Sequence, residues 1–359
     1  MNTVHEHLRR GPGRRPGRRA FLAAPFALAL PLAGCSASST RLTSADASSN
    51  QPLVLRLAHN LNDQHPTSVA IHDFADALSE RSEGRIQVDM YGNGQLGSET
   101  AVLGQLTQGI VDITRVSSPG LASYHAGYHT FGLPYVFDSE EQMHSVMDSE
   151  EMAAFYRSTA ERGFLGLTHY SSGARSVYTP STPVRAPEDL RGMKIRVQDM
   201  RSQTVLIDEL RGAPVVMGFG DTYTALQTGL IDGAESNETV LTTSGHGEVA
   251  KSFSRTEHTR IPDLLLIGSS AWDRMDAADQ ELVRTAASDS SQEHRVAWNE
   301  AIETAEAEAR EMGVEFVDDV DIDAFREATR PVVDLFTQEY PETTELLALI
   351  EQIREEESA

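Results

Sequence analysis

Cysteine, basic residues and long apolar runs are all scarce in this 359-residue chain. Its single cysteine, Cys35, excludes an intramolecular disulfide, a thiolate metal cluster and a redox-active cysteine pair. Thirty basic residues against 54 acidic ones give a net charge of −24, which opposes binding to nucleic acid. The chain also lacks the G-x-S-x-G motif of α/β-hydrolases. An organic anion could bind only where a few arginines override this negative field.

The first 34 residues differ in composition from the rest of the chain. They contain six arginines and one acidic residue, and they include the 12-residue apolar run Phe21–Leu32. That run is too short to cross the roughly 30 Å of hydrocarbon in a bilayer as a helix. A basic head, a short apolar middle and small residues at a cleavage site are typical of a secretory signal. Residues 1–34 are therefore predicted to be a signal peptide.

The end of this segment, Leu32-Ala33-Gly34-Cys35, resembles the bacterial lipoprotein box. The resemblance implies cleavage before Cys35, acylation of its thiol and anchoring to the outer face of the cell membrane, the periplasmic side where an outer membrane is present. Arg18–Leu22 resembles the twin-arginine export motif, with Gly17 replacing the usual serine or threonine. The alternative is a buried helix with a free cysteine.

Residues 35–52, rich in Ser, Ala and Thr, are predicted to be a flexible tether.

From Leu53 onward, strand-like and helix-like patterns alternate, which indicates βαβ units and a parallel sheet with a ligand crevice at the carboxyl ends of the strands. The stretch Ala277–Glu311 lacks Gly and Pro and predicts a helix about 50 Å long, enough to span two lobes. The predicted strands are Leu53–Ala58, Ile86–Tyr91, Val111–Val116, Leu165–His169, Lys194–Val197, Val215–Met217 and Leu264–Ile267. The other predicted helices are Thr67–Arg81, Ser98–Gln108, Gln203–Leu210 and Thr222–Leu230.

Gly92–Gly97 reads G-x-G-x-x-G between a predicted strand and a predicted helix, and Asp112 follows Gly92 by 20 residues. This is the context of the dinucleotide-binding fingerprint, so an exported NAD(P)-dependent oxidoreductase is one alternative. Two features oppose it. Glu99 would repel a pyrophosphate from the first helical turn, and Asp112 begins its strand instead of ending it. Glycines in a tight strand-to-helix turn are the simpler interpretation, and no cofactor is expected.

The 12 histidines are scattered along the chain. His125 and His129 are four residues apart, but no third ligand is near and Gly127 weakens a helix there. Because zinc sites need three or four protein ligands, these histidines are expected to have a surface or packing role, and no metal site is predicted.

Two arginines are placed where they could bind an anion. Arg196 lies in a short strand between Ile195 and Val197, which point to the opposite face, so Arg196 faces solvent or a cleft. Arg175 is predicted to lie in a loop of small residues after a strand. The guanidinium fork matches the two oxygens of a carboxylate. Two such arginines in one cleft would attract organic acids.

Several short segments between residues 53 and 340 occur in a characteristic order and spacing. They are Leu57–Asn60 with His65-Pro66, Gly94–Glu99, Gly109–Asp112, Phe131–Phe137, Leu190–Val197 and Tyr223–Glu235. Each is weak alone. Together they resemble the extracytoplasmic solute receptors of tripartite ATP-independent periplasmic (TRAP) transporters, of the C4-dicarboxylate and sugar-acid binding type.

The resemblance implies an α/β, two-lobed periplasmic-binding-protein-like fold with crossing strands and a long interlobe helix. Lobe I is predicted to comprise 53–172 plus about 262–302, and lobe II 173–261 plus about 303–359. The ligand would bind between the lobes and pass to the small and large membrane subunits of the transporter. A receptor domain that serves sensing instead of transport is a further alternative.

The resemblance also assigns ligand contacts. Arg196 matches the arginine that forks the ligand carboxylate, Arg175 a second ligand-facing arginine, and Phe219 the aromatic that packs on the ligand. The asparagine that closes the far side falls on Ser236 or Asn237, and the polar contacts of lobe I fall on Asn60, Glu99 and Ser117. Arg115 is either a third charge in the cleft or a solvent-facing residue.

Glu99, Asn60 and Ser117 suit ligand hydroxyls better than a second carboxylate, because Glu99 accepts hydrogen bonds and repels anions. The residues therefore favour a small monocarboxylate that carries several hydroxyls, such as a uronic or aldonic acid.

Overall fold

The computed structural model describes residues 51–358 of the chain. The predicted signal peptide, nearly all of the predicted tether and Cys35 lie outside the described residues. Within the described part, the strands form two separate β-sheets.

Strands and helices cover most of this part of the chain. The strands are β1 (Leu53–Ala58), β2 (Ile86–Tyr91), β3 (Ile113–Ser117), β4 (Phe164–Tyr170), β5 (Ala174–Thr179), β6 (Lys194–Val197), β7 (Ala213–Val216), β8 (Gly233–Ser236), β9 (Ser252–Arg260), β10 (Asp263–Gly268) and β11 (Glu315–Val317). The helices are α1 (Pro66–Arg81), α2 (Glu99–Thr107), α3 (Glu140–Met147), α4 (Glu150–Arg157), α5 (Arg201–Glu209), α6 (Thr222–Gln227), α7 (Thr239–Thr243), α8 (His246–Val249), α9 (Ser269–Trp272), α10 (Ala277–Glu311), α11 (Ile322–Glu339) and α12 (Pro341–Ser358). None of these helices combines the length and the apolar character needed to cross a membrane.

The first sheet has five strands in the order β2-β1-β3-β10-β4. Strand β1 runs parallel to both β2 and β3, whereas β10 is antiparallel to β3 and β4. The side chain of Ser98 accepts a hydrogen bond from the Ala101 amide and caps α2. Because β1 and β3 are parallel, their carboxyl ends meet at one edge of the sheet, where ligands bind in open α/β sheets.

The second sheet has six strands in the order β11-β9-β5-β8-β6-β7. Strand β6 is parallel to β7 and β8, and β5 is antiparallel to β8 and β9. The carboxyl ends of β6, β7 and β8 therefore form a second edge suited to ligand binding.

Two chain crossings and one long helix connect the sheets. Strand β4 continues into β5 through Ser171–Gly173, and β9 continues into β10 through Ile261 and Pro262. Helix α10 has the predicted bounds and packs on α1 and β4 of the first sheet as well as on α7, which follows β8 of the second. The two-lobed α/β fold with crossing strands and a long interlobe helix is confirmed.

The C-terminal helices bridge parts of the chain that are distant in sequence. Helix α11 packs on α5, and α12 packs on α3 and on the 3-10 turn Ala126–Gly132. Leu346 and Ile350 of α12 are buried, while Glu355 and Glu356 are exposed. Glu355 and Glu356 in the last part of α12 are thus solvated, whereas the earlier part of the same helix belongs to the core. The residue bounds given for the two lobes stay a prediction.

The first sheet is held against α1 and α10 by a dense apolar core. Leu55, Leu57, Phe74 and Ile267 are fully buried in it. Burying each of these side chains stabilises the fold by about 1.5–3 kcal/mol. This packing fixes β1, β3 and β10, and with them the strand ends that carry the polar residues described next.

Candidate functional site

A cavity of about 510 Å³ lies between the two sheets, within the roughly 300–1,000 Å³ typical of small-molecule sites. Residues that follow the strands of both sheets line it. The predicted contacts among them are Asn60, Glu99, Arg175, Arg196, Phe219, Ser236 and Asn237. Ser117 is not part of the lining, and its hydroxyl lies behind the wall in contact with Asp263.

Arg115 is at the centre of the polar cluster on the first sheet. It is 6% exposed and forms ion pairs with Glu99 and Asp263. Its Nη1 also donates to Asn60 Oδ1 at 3.3 Å. Although burial opposes its charge, the two carboxylates raise the pKa of Arg115 above the usual value. The structure therefore places Arg115 in the cleft, and this cluster holds two carboxylates for one guanidinium.

Arg175 is in a strand and not in the loop predicted from its small neighbours. It lies in β5, where pairing with β8 and β9 overrides the weak local signal. Its Nε donates to Glu235 Oε2 at 2.5 Å and its Nη2 to Glu235 Oε1 at 2.9 Å. Burial alone would raise the pKa of Glu235, but Arg175 and His258 lower it to about 2. Arg175 is thus neutralised, and only its Nη1 has no hydrogen-bond partner among the described residues.

Arg196 faces the cleft and has no carboxylate partner among the described residues. It is 4% exposed, and its Nε and Nη2 donate to the Met217 carbonyl oxygen at 3.2 and 3.0 Å. The ring of Phe219 lies 5.8 Å from its guanidinium carbon. Burial lowers the pKa of Arg196, with Glu235 acting in the opposite direction. Because the ordinary pKa of arginine is above 12, the group remains a buried cation.

These contacts divide the cleft into two halves of opposite charge. The cluster of Arg115, Glu99 and Asp263 carries one excess negative charge. The buried part of the opposite wall, with Arg175 paired to Glu235 and Arg196 unpaired, carries one excess positive charge. The two other acidic residues that line this wall, Asp199 and Asp221, are exposed. A ligand with one anionic end and a neutral, hydrogen-bonding end matches this pattern.

Ser236 and Asn237 both line the cavity, but the Asn237 amide is already engaged. Its Nδ2 donates to the Ser172 carbonyl oxygen at 2.8 Å, and its Oδ1 accepts from the amide and the hydroxyl of Thr239. Asn237 thereby ties the start of α7 to the crossing segment after β4. Its role as a ligand contact, like those of Ser236 and Phe219, stays a prediction.

Hydrogen bonds from three side chains join the two walls across the cleft. Thr100 Oγ1 donates to Asp199 Oδ2 at 3.3 Å, and Asn62 Nδ2 donates to the Thr243 carbonyl oxygen at 2.8 Å. A third runs from Gln198 Nε2 to Ser117 Oγ at 3.0 Å. The structure therefore has the lobes closed on each other at these points.

Sequence reasoning missed Gln198, Asp263 and the pairing role of Glu235. A signal existed for Gln198, because it follows Arg196 by two residues in an extended segment and shares its face. No local pattern marks Asp263, whose partner Arg115 is 148 residues away.

The Gly92–Gly97 loop is a tight turn between β2 and α2. Gly94 and Gly97 have φ angles of 67° and 116°, which glycine adopts without strain.

The two histidines that are four residues apart make packing contacts. His125 accepts a hydrogen bond from the Gly127 amide, and the His129 ring lies 4.4 Å from that of Tyr340. Within residues 51–358, no group of three or more His, Cys, Asp or Glu side chains is arranged to hold a metal ion.

Residues 57–339 match the model of the family described as bacterial extracellular solute-binding protein, family 7. The chain belongs to this family. A protein of Salmonella typhimurium named YiiZ is 39% identical over 284 residues, 78% of this chain and 86% of its own length. The 2,3-diketo-L-gulonate-binding periplasmic protein YiaO of Escherichia coli is 25% identical, over 91% and 98% of the two chains.

Solved TRAP periplasmic solute-binding proteins share the fold of this receptor. One from Anaerococcus prevotii, with bound D-glucuronate, has a TM-score of 0.82 and 33% identity, covering 85% of this chain and 99% of that one. One from Sulfitobacter, with bound β-D-galacturonate, has a TM-score of 0.80 and 32% identity, covering 83% of this chain and 99% of that one.

The family acts outside the cytoplasm and works with membrane transport subunits. Its members are receptors and not enzymes, so the oxidoreductase alternative for Gly92–Gly97 is wrong.

Proposed function

We propose that this receptor binds a sugar acid of the hexuronate class and delivers it to the membrane subunits of a TRAP transporter. Two lines of support converge. Related receptors hold glucuronate or galacturonate, and the buried part of the cleft in this chain has one positive and one negative wall. A hexuronate has one carboxylate and several hydroxyls, which match these two walls.

The observation that carries the proposal is the state of Arg196, a buried cation in the cleft without a carboxylate partner among the described residues. Met217 occupies Nε and one hydrogen of Nη2. The guanidinium has five N–H donors, so Nη1 and the second hydrogen of Nη2 remain. One of the two hydrogens on Nη1 is parallel to this hydrogen of Nη2, and the pair forms the end-on fork that binds a carboxylate. A ligand carboxylate would then offset the charge that burial leaves uncompensated.

The opposite wall suits hydroxyl groups. Glu99 is a carboxylate that already accepts from Arg115 and from the Ser117 amide, and a lone pair remains on each of its oxygens. Asn60 is next to it on the same guanidinium. A second ligand carboxylate would meet the excess negative charge of this wall, whereas hydroxyls can donate to it. The arrangement therefore favours a uronate over a C4-dicarboxylate.

Isothermal titration calorimetry with D-glucuronate, D-galacturonate and succinate tests this function. We expect both uronates, or one of them, to bind at least tenfold more tightly than succinate. Tighter binding of succinate, or no binding of either uronate, would overturn the proposal.

We also propose that Cys35 carries a lipid that anchors the receptor to the outer face of the membrane. The support is the leader sequence alone, with its basic head, its apolar run Phe21–Leu32 and small residues before Cys35. One acyl chain binds membranes only marginally, and several chains hold a protein durably. In cells, Cys35→Ala should move the receptor from the membrane fraction to the soluble extract. Retention of the variant in the membrane fraction would contradict the anchor.

A further inference from the structure

His65 belongs both to the start of helix α1 and to the cleft. It directly precedes Pro66, the first residue of α1, and its side chain caps that helix. It is 3% exposed and lines the cavity, on the same wall as Asn60 and Glu99. None of the ligand contacts predicted from the sequence falls on this residue.

The hydrogen bond of one ring nitrogen of His65 decides what the other nitrogen can do. Nδ1 lies 3.2 Å from the backbone nitrogen of Thr67, whose N–H can only donate, so Nδ1 is the unprotonated nitrogen. Burial, with Arg115 acting in the same direction, lowers the pKa of His65 well below its usual value, and the ring is therefore neutral. A neutral imidazole carries one N–H. In His65 that N–H has to be on Nε2.

The Nε2 atom of His65 is open to the cleft. It has no hydrogen-bond partner among the described residues, yet it keeps accessible surface, whereas both ring nitrogens of nearby His59 are sealed. Because Nδ1 points into α1 and the residue lines the cavity, the open surface of Nε2 faces the cavity. The ring of Trp298, on α10, packs beside the imidazole with 6.1 Å between the ring centroids. The structure thus presents a donor of fixed direction to the ligand space.

The charges of the cleft indicate which kind of ligand oxygen meets this donor. With the ligand carboxylate on Arg196, the oxygens that reach the opposite wall are hydroxyl or ring oxygens. A hydroxyl can accept from His65 and donate to a carboxylate such as Glu99. A second ligand carboxylate could accept from His65, but it would meet the excess negative charge of this wall.

We propose that His65 is a ligand-binding residue of this receptor, whose Nε2–H donates a hydrogen bond to a hydroxyl or ring oxygen of the sugar acid while Nδ1 caps α1. The assignment rests on the proposed sugar-acid function. It adds a neutral donor to the wall on which Glu99 supplies acceptors, and it fixes that donor through the helix cap.

Two substitutions separate the two functions of the ring. The amide of asparagine reaches about as far as Nδ1, so His65→Asn keeps a favourable N-cap and removes the donor in the cleft. The amide of glutamine reaches about as far as Nε2, so His65→Gln keeps a donor in the cleft and removes the cap. His72→Asn, on the exposed face of α1, is the matched control. Calorimetry with D-glucuronate measures the affinity, and thermal melts measure the stability.

His65→Asn should weaken D-glucuronate binding by about fivefold to a hundredfold, because a ligand oxygen loses its donor. Its melting temperature should stay close to that of the unmodified protein. His65→Gln should melt a few degrees lower, since the cap is lost, and should bind D-glucuronate more tightly than His65→Asn does. His72→Asn should bind and melt like the unmodified protein.

Undiminished affinity in His65→Asn, with normal D-glucuronate binding by the unmodified receptor, would refute the assignment of His65 alone. Weaker binding by His65→Gln than by His65→Asn would also refute it, because His65 would then act through the helix cap. Failure of the unmodified receptor to bind uronates would refute the proposed function and this assignment with it.

Discussion

Arg175 and Glu235 form a buried two-point ion pair, with Nε–Oε2 at 2.5 Å and Nη2–Oε1 at 2.9 Å, although 60 residues separate them in sequence. The pair joins β5 to β8 beneath the cleft. Because Glu235 neutralises Arg175, the charge available to a ligand on this wall is that of Arg196. The two arginines therefore have different roles even though both line the same cavity.

Replacing Arg196 by alanine should weaken D-glucuronate binding by about 2–5 kcal/mol, because the ligand carboxylate would be left buried without its partner. That corresponds to a loss of affinity of roughly 30-fold to several-thousand-fold. Calorimetry measures it directly. Arg330→Ala, on the exposed face of α11, is the control and should bind like the unmodified protein. Undiminished affinity in Arg196→Ala would contradict the assignment of the carboxylate to this residue.

Replacing Glu235 by glutamine should destabilise the fold by about 3–5 kcal/mol, because removing one partner of a buried ion pair leaves the other charge uncompensated. The free energy of unfolding from urea titration gives this value. Glu327→Gln removes an exposed ion pair with Arg330 and should cost at most about 1 kcal/mol. Equal effects of the two substitutions would show that the Arg175–Glu235 pair does not stabilise the fold.

The same pair predicts a pH dependence with a definite sign. Arg175 and His258, acting against burial, lower the pKa of Glu235 to about 2 in the folded protein, whereas an unfolded glutamate has a pKa of about 4.3. Its contribution to stability is thus fully present above pH of about 4.3 and is lost as the pH falls towards about 2. The difference in unfolding free energy between the unmodified protein and Glu235→Gln should shrink over this window. A difference that stays constant or grows on acidification would refute the prediction.

Gly173, in the crossing between β4 and β5, should tolerate substitution poorly. Its φ is +63°, and an added Cβ would lie 3.2 Å from Trp298 Cζ2 on α10. Gly173→Ala should therefore lower the free energy of unfolding by more than a left-handed backbone alone would, which is about 1–2 kcal/mol. Gly192→Ala is matched, since Gly192 has a φ of +75° and nothing within 4 Å of the added atom. Thermal melts of both variants, with tryptophan fluorescence as a second readout, should show a larger drop in melting temperature for Gly173→Ala. Equal drops in the two variants would show that the contact with Trp298 is unimportant.

Much of the secondary structure could be predicted from local patterns. Strands β1, β2 and β6 and helix α10 have the bounds that the sequence predicts. The strands are short runs with apolar residues that have Gly or Pro near their ends, and α10 is a long stretch without Gly or Pro, so local preference and tertiary packing agree. Strands β5, β8 and β9 were not predicted, because they are polar and lack that periodicity. They form strands because they pair with one another in the middle of a sheet.

Local sequence and the order of motifs were enough to establish the fold class, the long interlobe helix, the receptor family and Arg196 as a residue of the cleft. The charge on each wall could not be read in this way, because Arg115 meets Asp263, and Arg175 meets Glu235, only when distant strands pair. Coulomb interactions and desolvation depend on distance in space and on burial. Neither quantity is defined until both sheets have assembled. Only the folded structure therefore shows that Arg196, among residues 51–358, is a cation of the cleft without a carboxylate partner.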